Sequence, residues 1–289
     1  MKVLITGAGG QLGQSLLKSL PTEHQILALS RSQLDIVDLN DVRRAVREFQ
    51  PHVIVNAAAY TAVDKAESER ELAFAVNAVG TENLGRVALE YSARLIHLST
   101  DFVFDGKKSR PYLPTDPMNP LGAYGKSKAE GEKRLHQIMG ESVIILRTGW
   151  LYATEGRNFV NTILSLIKQR DSLNVIADQV GTPTWAMSLA GQVWELLRRP
   201  EITGIYHWSD AGVASWYDFA VAIQEEAVEF GLLKKIICIR PISTEEYPLP
   251  APRPAYSVLD KQSTMTETGI VPTHWRVNLR AMLKELVDA

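Results

Sequence analysis

The sequence predicts an α/β fold: a doubly wound parallel sheet followed by a smaller α/β part. Three observations point there. Five short β-rich runs alternate with longer amphipathic stretches through the first half of the chain. Each run is apolar along its length, as strands buried on both faces are. A glycine cluster follows the first run directly and opens the first amphipathic stretch.

Taken in order, residues 3–5, 26–29, 53–55, 95–98 and 143–146 read as strands, and 11–20, 41–49, 72–91 and 123–139 as the helices between them. Pro21 and Pro51 stop two of those helices. Repeated β–α units at this spacing imply right-handed crossovers and a parallel sheet. After Trp150 the rhythm loosens. Helices are expected at 159–170, 186–198, 216–230 and 279–287, and short strands at 173–176, 204–208 and 236–239, with 204–208 returning to the main sheet. Prolines 241, 248, 250, 252 and 254 mark an irregular stretch.

The totals exclude several classes. The chain has 289 residues, 45% hydrophobic and 22% charged, enough to bury a sizeable core. Its formal charge of −2 gives no global basic field for nucleic acid or an anionic membrane. No apolar run reaches the ~18 residues of a membrane span. The N-terminus lacks the apolar length of a signal peptide, so a cytoplasmic location is expected. Cys238 is the only cysteine, which excludes an intrachain disulfide. It lies in an apolar run and is expected to be buried and inert.

The glycine cluster carries the first chemistry. Gly7, Gly10 and Gly13 have GxxGxxG spacing between a strand and a helix. One glycine permits the turn, one lets backbone approach a pyrophosphate, and one permits close helix–strand packing. The helix N-terminus offers free N–H groups to phosphate. The pattern predicts a Rossmann-type dinucleotide site. Residues 1–155 are read as the dinucleotide-binding domain, with a return around 184–210; residues 156–183 and 211–289 are the substrate-binding part. An NAD site usually carries an acid ~20 residues on. Here the second strand ends in Leu29-Ser30-Arg31, and Asp35 is expected to lie beyond the strand end. Ser30 and Arg31 suit a 2′-phosphate, so NADP(H) is favoured over NAD(H). Asp38 and Leu39 begin the next helix, where Asp38 serves either as a cap or near the adenine. Asn56-Ala57-Ala58-Ala59-Tyr60 follows the third strand, with small side chains that admit a ribose and nicotinamide.

The second constellation is Thr100 at the end of the fourth strand with Tyr124 and Lys128 on the next helix. Tyr124 and Lys128 are i and i+4 and share a face. A nearby ammonium lowers a phenol's pKa, making Tyr124 a usable acid or base.

These motifs together resemble the short-chain dehydrogenases/reductases, in particular the extended branch that acts on nucleotide sugars. The residues 55–67, 99–106, 124–128, 147–152, 178–184 and Arg253-Pro254 are similar to the dTDP-4-dehydrorhamnose reductase family almost end to end. The resemblance implies reduction of the C4 ketone of dTDP-4-dehydro-L-rhamnose by a nicotinamide dinucleotide, the last step of dTDP-rhamnose biosynthesis. It implies Tyr124 as proton donor, Lys128 on the nicotinamide ribose, and Thr100 polarising the ketone. Asp101 and Trp150 would contact the sugar, and Gly10, Gln11, Leu12, Asp38, Leu39, Ala58, Ala59 and Tyr60 the dinucleotide. Arg253, on a proline-stiffened loop, is a candidate phosphate partner; Asn158 is a candidate substrate contact. Some members hold magnesium at a dimer contact through an acid near position 15. Ser15 is no such ligand, so no metal is expected, and a homodimer is left open.

Other residues read as structure. The acids Asp64, Glu67, Glu69 and Glu71 suggest a solvated helix face, and His97 a satisfied core histidine. Trp185, Trp194, Trp208, Trp216 and Trp275 are assigned to packing. The six histidines show no metal-ligand spacing. Alternatives are a nucleotide-sugar epimerase or dehydratase, and a non-catalytic dinucleotide-binding regulatory subunit like that of methionine adenosyltransferase. Phe102 stands where dehydratases carry an acid, and intact Thr100, Tyr124 and Lys128 favour an enzyme.

Overall fold

The structure, a computed structural model, describes residues 1–288. The chain opens with β1 (Lys2–Thr6), α1 (Gln11–Lys18), β2 (Gln25–Leu29), α2 (Leu39–Phe49) and β3 (Val53–Asn56). A helical stretch in three pieces follows: α3 (Arg70–Phe74), a π-helical turn (Ala75–Gly80) and α4 (Thr81–Glu90). Then come β4 (Arg94–Thr100), α5 (Ala123–Met139), β5 (Ile144–Thr148), β6 (Leu151–Tyr152), α6 (Phe159–Gln169) and β7 (Ser172–Ile176). The remainder is β8 (Val180–Gly181), β9 (Thr184–Trp185), α7 (Ala186–Arg198), β10 (Gly204–His207), β11 (Ala214–Ser215), α8 (Trp216–Glu229), β12 (Cys238–Ile242), α9 (Gln262–Thr268) and α10 (Trp275–Asp288).

Six parallel strands form the main sheet in the order β10-β5-β4-β3-β1-β2. After β2 the chain crosses back over β1 to β3, so the order reverses between β1 and β3. Ligands of open α/β sheets bind outside the carboxyl ends of the strands at such a switch point. The interior strands β3 and β4 are buried nearly throughout, whereas the edge strands β2 and β10 are only partly so. Alternate residues serve opposite faces. Val3, Ile5, Val53, Val55 and Ile96 pack with α1, α7 and Trp194; Leu4, Ile54, Leu95 and Ile145 pack with Val42, Leu84 and Leu135 of α2, α4 and α5. A separate core joins α6, α8 and α10 through Ile163, Phe219, Ile223, Leu279 and Met282.

The expected return to the sheet occurs: β10 pairs with β5 in parallel. Four local expectations change. The helix expected over 72–91 is broken by the π turn. α9 was not expected, because its sequence QSTMTET is polar and poor in strong helix formers. α10 begins at Trp275, a turn earlier than the apolar periodicity suggested. Finally, β12 starts at Cys238, which is exposed rather than buried. Strand alternation turns Ile237 inward and Cys238 outward on a ribbon paired only with β7.

Candidate active site

Gly7 and Gly13 do the spatial work their spacing suggested. Gly7 has φ +71°, and a Cβ there would lie 2.5 Å from Ala58 N and 2.6 Å from Ala57 C. A side chain at Gly13 would run into the Gly7 carbonyl, so α1 packs directly on the turn. Gly10 is the N-cap of α1 and makes no side-chain cap bond. The first-turn N–H groups of Gln11, Leu12 and Gly13 are therefore unclaimed by a cap and suit a pyrophosphate.

A cleft of about 750 Å³ opens beside this turn at the β1/β3 switch point. Gly7, Gly10, Ser30 and Arg31 line one side, and Ala58, Ala59 and Tyr60 the other. Arg31 is exposed and forms no ion pair among the described residues. Ser30 Oγ is bonded to Gln33 Oε1 at 2.8 Å. Asp35 does lie beyond the end of β2, yet the chain turns back and it too lines the cleft. Asp38 and Leu39 do not line it. Asp38 caps α2, accepting from the N–H of Asn40 at 2.8 Å and of Asp41 at 3.3 Å, while Leu39 packs on the core. A dinucleotide fits the cradle: bare backbone at the turn, an uncapped helix end and an unpaired guanidinium.

The π turn positions one wall. Asn77 within it accepts from Tyr60 N at 2.8 Å, donates to Tyr60 O at 3.0 Å and to Ser127 Oγ at 2.9 Å. It ties the Tyr60 loop to α5. A π bulge at a functional site is a recurring device, but it has no sequence signature of its own.

Thr100 is buried at the end of β4. Its Oγ1 donates to Asp101 Oδ1 at 3.0 Å and accepts from Phe102 N at 3.2 Å. The Phe102 carbonyl fills the space a side chain at Gly125 would need, which seats the start of α5 on this turn. The Phe102 and Tyr124 rings meet edge to face at 5.7 Å. Burial pushes the Tyr124 phenol up to about 12; hydrogen bonding to Thr100 restrains it and the Asp101 carboxylate adds to it. The expected lowering by Lys128 does not appear. The lysine is itself pushed down to about 8 by burial, against the pull of Glu132. Its Nζ is spent on β4, donating to Leu98 O at 2.6 Å and meeting His97 Nε2 at 3.3 Å. His97 is the satisfied core histidine expected.

Asp101 is buried, and burial raises its carboxyl to about 6 despite the hydrogen bond from Thr100 and the nearby Ser257 hydroxyl. A side chain at Gly149 would strike that carboxylate at 2.6 Å. One residue on, Trp150 adopts φ +49° and stacks on Trp216, centroids 3.4 Å apart and planes 1° apart. Trp216, assigned to packing from sequence, also lines a second cleft of about 370 Å³ with Phe159, Gln179 and Arg253. Gln179 Oε1 accepts from Trp216 Nε1 at 3.2 Å. Gln179 falls in the 178–184 stretch that resembles the family but carried no assigned role, and nothing in the one-dimensional pattern set Trp216 apart from packing.

Arg253 reaches this cleft but is already engaged. Its guanidinium holds both oxygens of Asp64, at 3.0 and 2.8 Å, and keeps that carboxyl below its usual range. Asn158 lines neither cleft. It caps α6 and donates to Gln11 Oε1 at 3.0 Å, joining the glycine turn to the C-terminal part. The acidic stretch is not simply a solvated face. Besides Asp64, Glu67 accepts from Ala123 N at 2.6 Å and Glu69 from the Tyr60 hydroxyl at 2.7 Å.

Comparison with known proteins agrees with this geometry. The RmlD substrate binding domain family matches residues 1–288. The chain is 44% identical over 286 residues to the dTDP-4-dehydrorhamnose reductase of Aggregatibacter actinomycetemcomitans, covering 96% of this chain and 97% of that protein. It is 42% identical to the spore coat polysaccharide biosynthesis protein SpsK of Bacillus subtilis, covering 100% and 99%. The crystal structure of dTDP-4-dehydrorhamnose reductase from Bacillus anthracis in complex with NADP superposes with a TM-score of 0.93 at 35% identity, over 98% of this chain and 99% of that one. This chain belongs to the dTDP-4-dehydrorhamnose reductase family and is an NAD(P)H-dependent oxidoreductase.

Proposed function

We propose that the protein reduces the C4 ketone of dTDP-4-dehydro-L-rhamnose to dTDP-L-rhamnose, closing dTDP-rhamnose biosynthesis. The observation that carries this is the approach of Tyr124, on the first turn of α5, to Thr100 at the end of β4, with Tyr60 of the glycine cleft packed on the same small cluster as Tyr124. The dinucleotide, when bound, supplies the hydride. Thr100 polarises the ketone oxygen, and Tyr124 protonates it as the C–O π bond breaks. A phenol held near 12 keeps its proton throughout the neutral range, as a donor in a reduction must. Lys128 holds the nicotinamide ribose. Asp101 and Trp150 contact the sugar.

Residues 1–155 with the return at 184–210 form the dinucleotide-binding domain in this reading, and 156–183 with 211–289 the substrate part. The second cleft, with its aromatic walls and Arg253, suits the nucleotide of a dTDP-sugar. NADPH is favoured over NADH by Arg31, and the NADP complex of the Bacillus anthracis relative supports that choice. Likeness to SpsK supports a role for the product in a polysaccharide.

Purified protein with dTDP-4-dehydro-L-rhamnose should oxidise NADPH stoichiometrically; no oxidation of either dinucleotide refutes the reading. Tyr124→Phe should lower kcat about 10²–10⁴-fold while still binding NADPH. A rate near wild type removes Tyr124 as the acid.

A further inference from the structure

Thr6, Asn56 and His97 stand in register on three neighbouring strands at the carboxyl end of the sheet. All are buried, as is Lys128 on α5. Thr6 Oγ1 donates to Asn56 Oδ1 at 2.8 Å, Asn56 Nδ2 meets His97 Nδ1 at 2.9 Å, and His97 Nε2 lies 3.3 Å from Lys128 Nζ.

One end of this row fixes its direction. The backbone N–H of Ala58 donates to Asn56 Oδ1 at 3.1 Å, and a backbone N–H only donates. That identifies the amide's oxygen, leaving Nδ2 as the donor to His97. His97 Nδ1 therefore accepts, and the hydrogen of the neutral ring sits on Nε2. Burial, the larger cause, holds His97 far below its usual range, so the ring is neutral. Nε2–H thus points at Lys128 Nζ, which itself donates to Leu98 O. An ammonium has no lone pair to accept that hydrogen, whereas an amine has one. Only the amine completes the row.

We propose that His97, oriented by Asn56, is a positioning residue that seats Lys128 on the Leu98 carbonyl and eases the loss of its proton in the free protein. The role of Lys128 rests on the reductase reading; its protonation state does not. The groups facing the lysine pull in both directions. Glu132, one turn on along α5, favours the charged form, but its carboxylate is already held by Arg147 of β5 at 2.6 Å and by the Ser99 hydroxyl of β4. Tyr124, one turn back, is neutral; Asp101 acts on the phenol rather than on the amine. His97 is the only group of the row that presents a hydrogen to Nζ.

The test is nuclear magnetic resonance on the free protein, with ¹⁵N-labelled histidine and ¹³C-labelled lysine. In wild type, His97 should show the Nε2–H tautomer from pH 6 to 9, roughly the neutral range, and Lys128 should titrate near about 8. In Asn56→Asp, one carboxylate oxygen keeps the Ala58 N–H and the other takes a hydrogen from His97 Nδ1. The tautomer reverses and Nε2 becomes an acceptor; with the added carboxylate pulling the same way, the Lys128 midpoint should rise by about one unit or more, and the ¹⁵N tautomer signature separates the two causes. The alkaline limb of the kcat/KM–pH profile for NADPH, which reports the free protein, should move with it. An Nδ1–H tautomer in wild type overturns the proposal whether or not the variant folds, and so does an unchanged midpoint in a folded variant. Because the spectra need no substrate, a failed reductase assay leaves them standing; a working reductase with the wrong tautomer sinks this inference alone.

Discussion

The glycine turn and the Trp150–Trp216 stack each depend on a glycine with no room for a side chain, but the neighbour differs. At Gly7 it is the backbone of Ala57 and Ala58; at Gly181 it is the Trp150 ring, whose Cε2 and Nε1 lie 2.5 Å from where a Cβ would sit. Backbone against backbone cannot yield without moving strands. A ring against backbone can turn. The first region is therefore a rigid cradle, and the second a contact that adjusts to what lies on it.

Gly7→Ala should give the largest effect. It combines a left-handed φ with overlap against fixed backbone, together about 2–4 kcal/mol of lost stability. Urea unfolding and a fluorescence titration with NADPH should both register it. Wild-type stability in this variant would mean that the turn is looser than its geometry.

Asp101→Asn tests the seam between the regions, where Ser257 and Gly149 press on a buried carboxylate. The wild-type group is raised to about 6. Between its unfolded value near 4 and 6, the folded protein holds a proton that the unfolded chain releases. Stability from Asp101 is full below that window and is lost as pH rises through it. The variant should match wild type below about pH 4 and exceed it by about 2–3 kcal/mol above pH 6. His207 is held at about 3 and acts with the opposite sign, but it is common to both proteins and cancels in the difference. A constant offset across pH would show that the carboxyl titrates alike in the folded and unfolded chains, with no raised value.

The same contrast explains what was legible in the sequence. Strands buried on both faces, Gly7 with Gly13, and Tyr124 with Lys128 at i and i+4 all express local backbone geometry, and local geometry has a fixed spacing. The partners that set the chemistry are distant. Ser257 reaches Asp101, Asp64 neutralises Arg253, and Trp216 meets Trp150 across long separations with no periodicity to announce them. The lowered phenol was misjudged for a related reason. Helical spacing puts Lys128 on the face of Tyr124, but β4 claims its amine through His97 and Leu98. Apolar neighbours around Cys238 do not say which face of a two-stranded ribbon meets solvent, and there it is Cys238 that does.

Gly181→Ala carries the comparison to the adjustable side. The added methyl should push the Trp150 ring from its stack at about 1–2 kcal/mol. On the proposed reading KM for the dTDP-sugar rises about tenfold while NADPH binding is unchanged. Equal loss of both would show that the two regions are one rigid unit.

Arg31→Ala should be the smallest effect and the most specific. Arg31 is exposed, so its contact with a 2′-phosphate is screened and worth about 1 kcal/mol, roughly fivefold in the KM for NADPH. The KM for NADH should not move, and the difference should widen at low salt. The competing acid in the cleft is Asp35, whose Oδ1 accepts from Val37 N at 3.0 Å while its own N–H is held by Asp41. That carboxylate is braced toward its own loop, which leaves the guanidinium as the freer of the two charges. Equal changes for both dinucleotides would assign Arg31 to general electrostatics and move the 2′-phosphate contact to Ser30 and its neighbours.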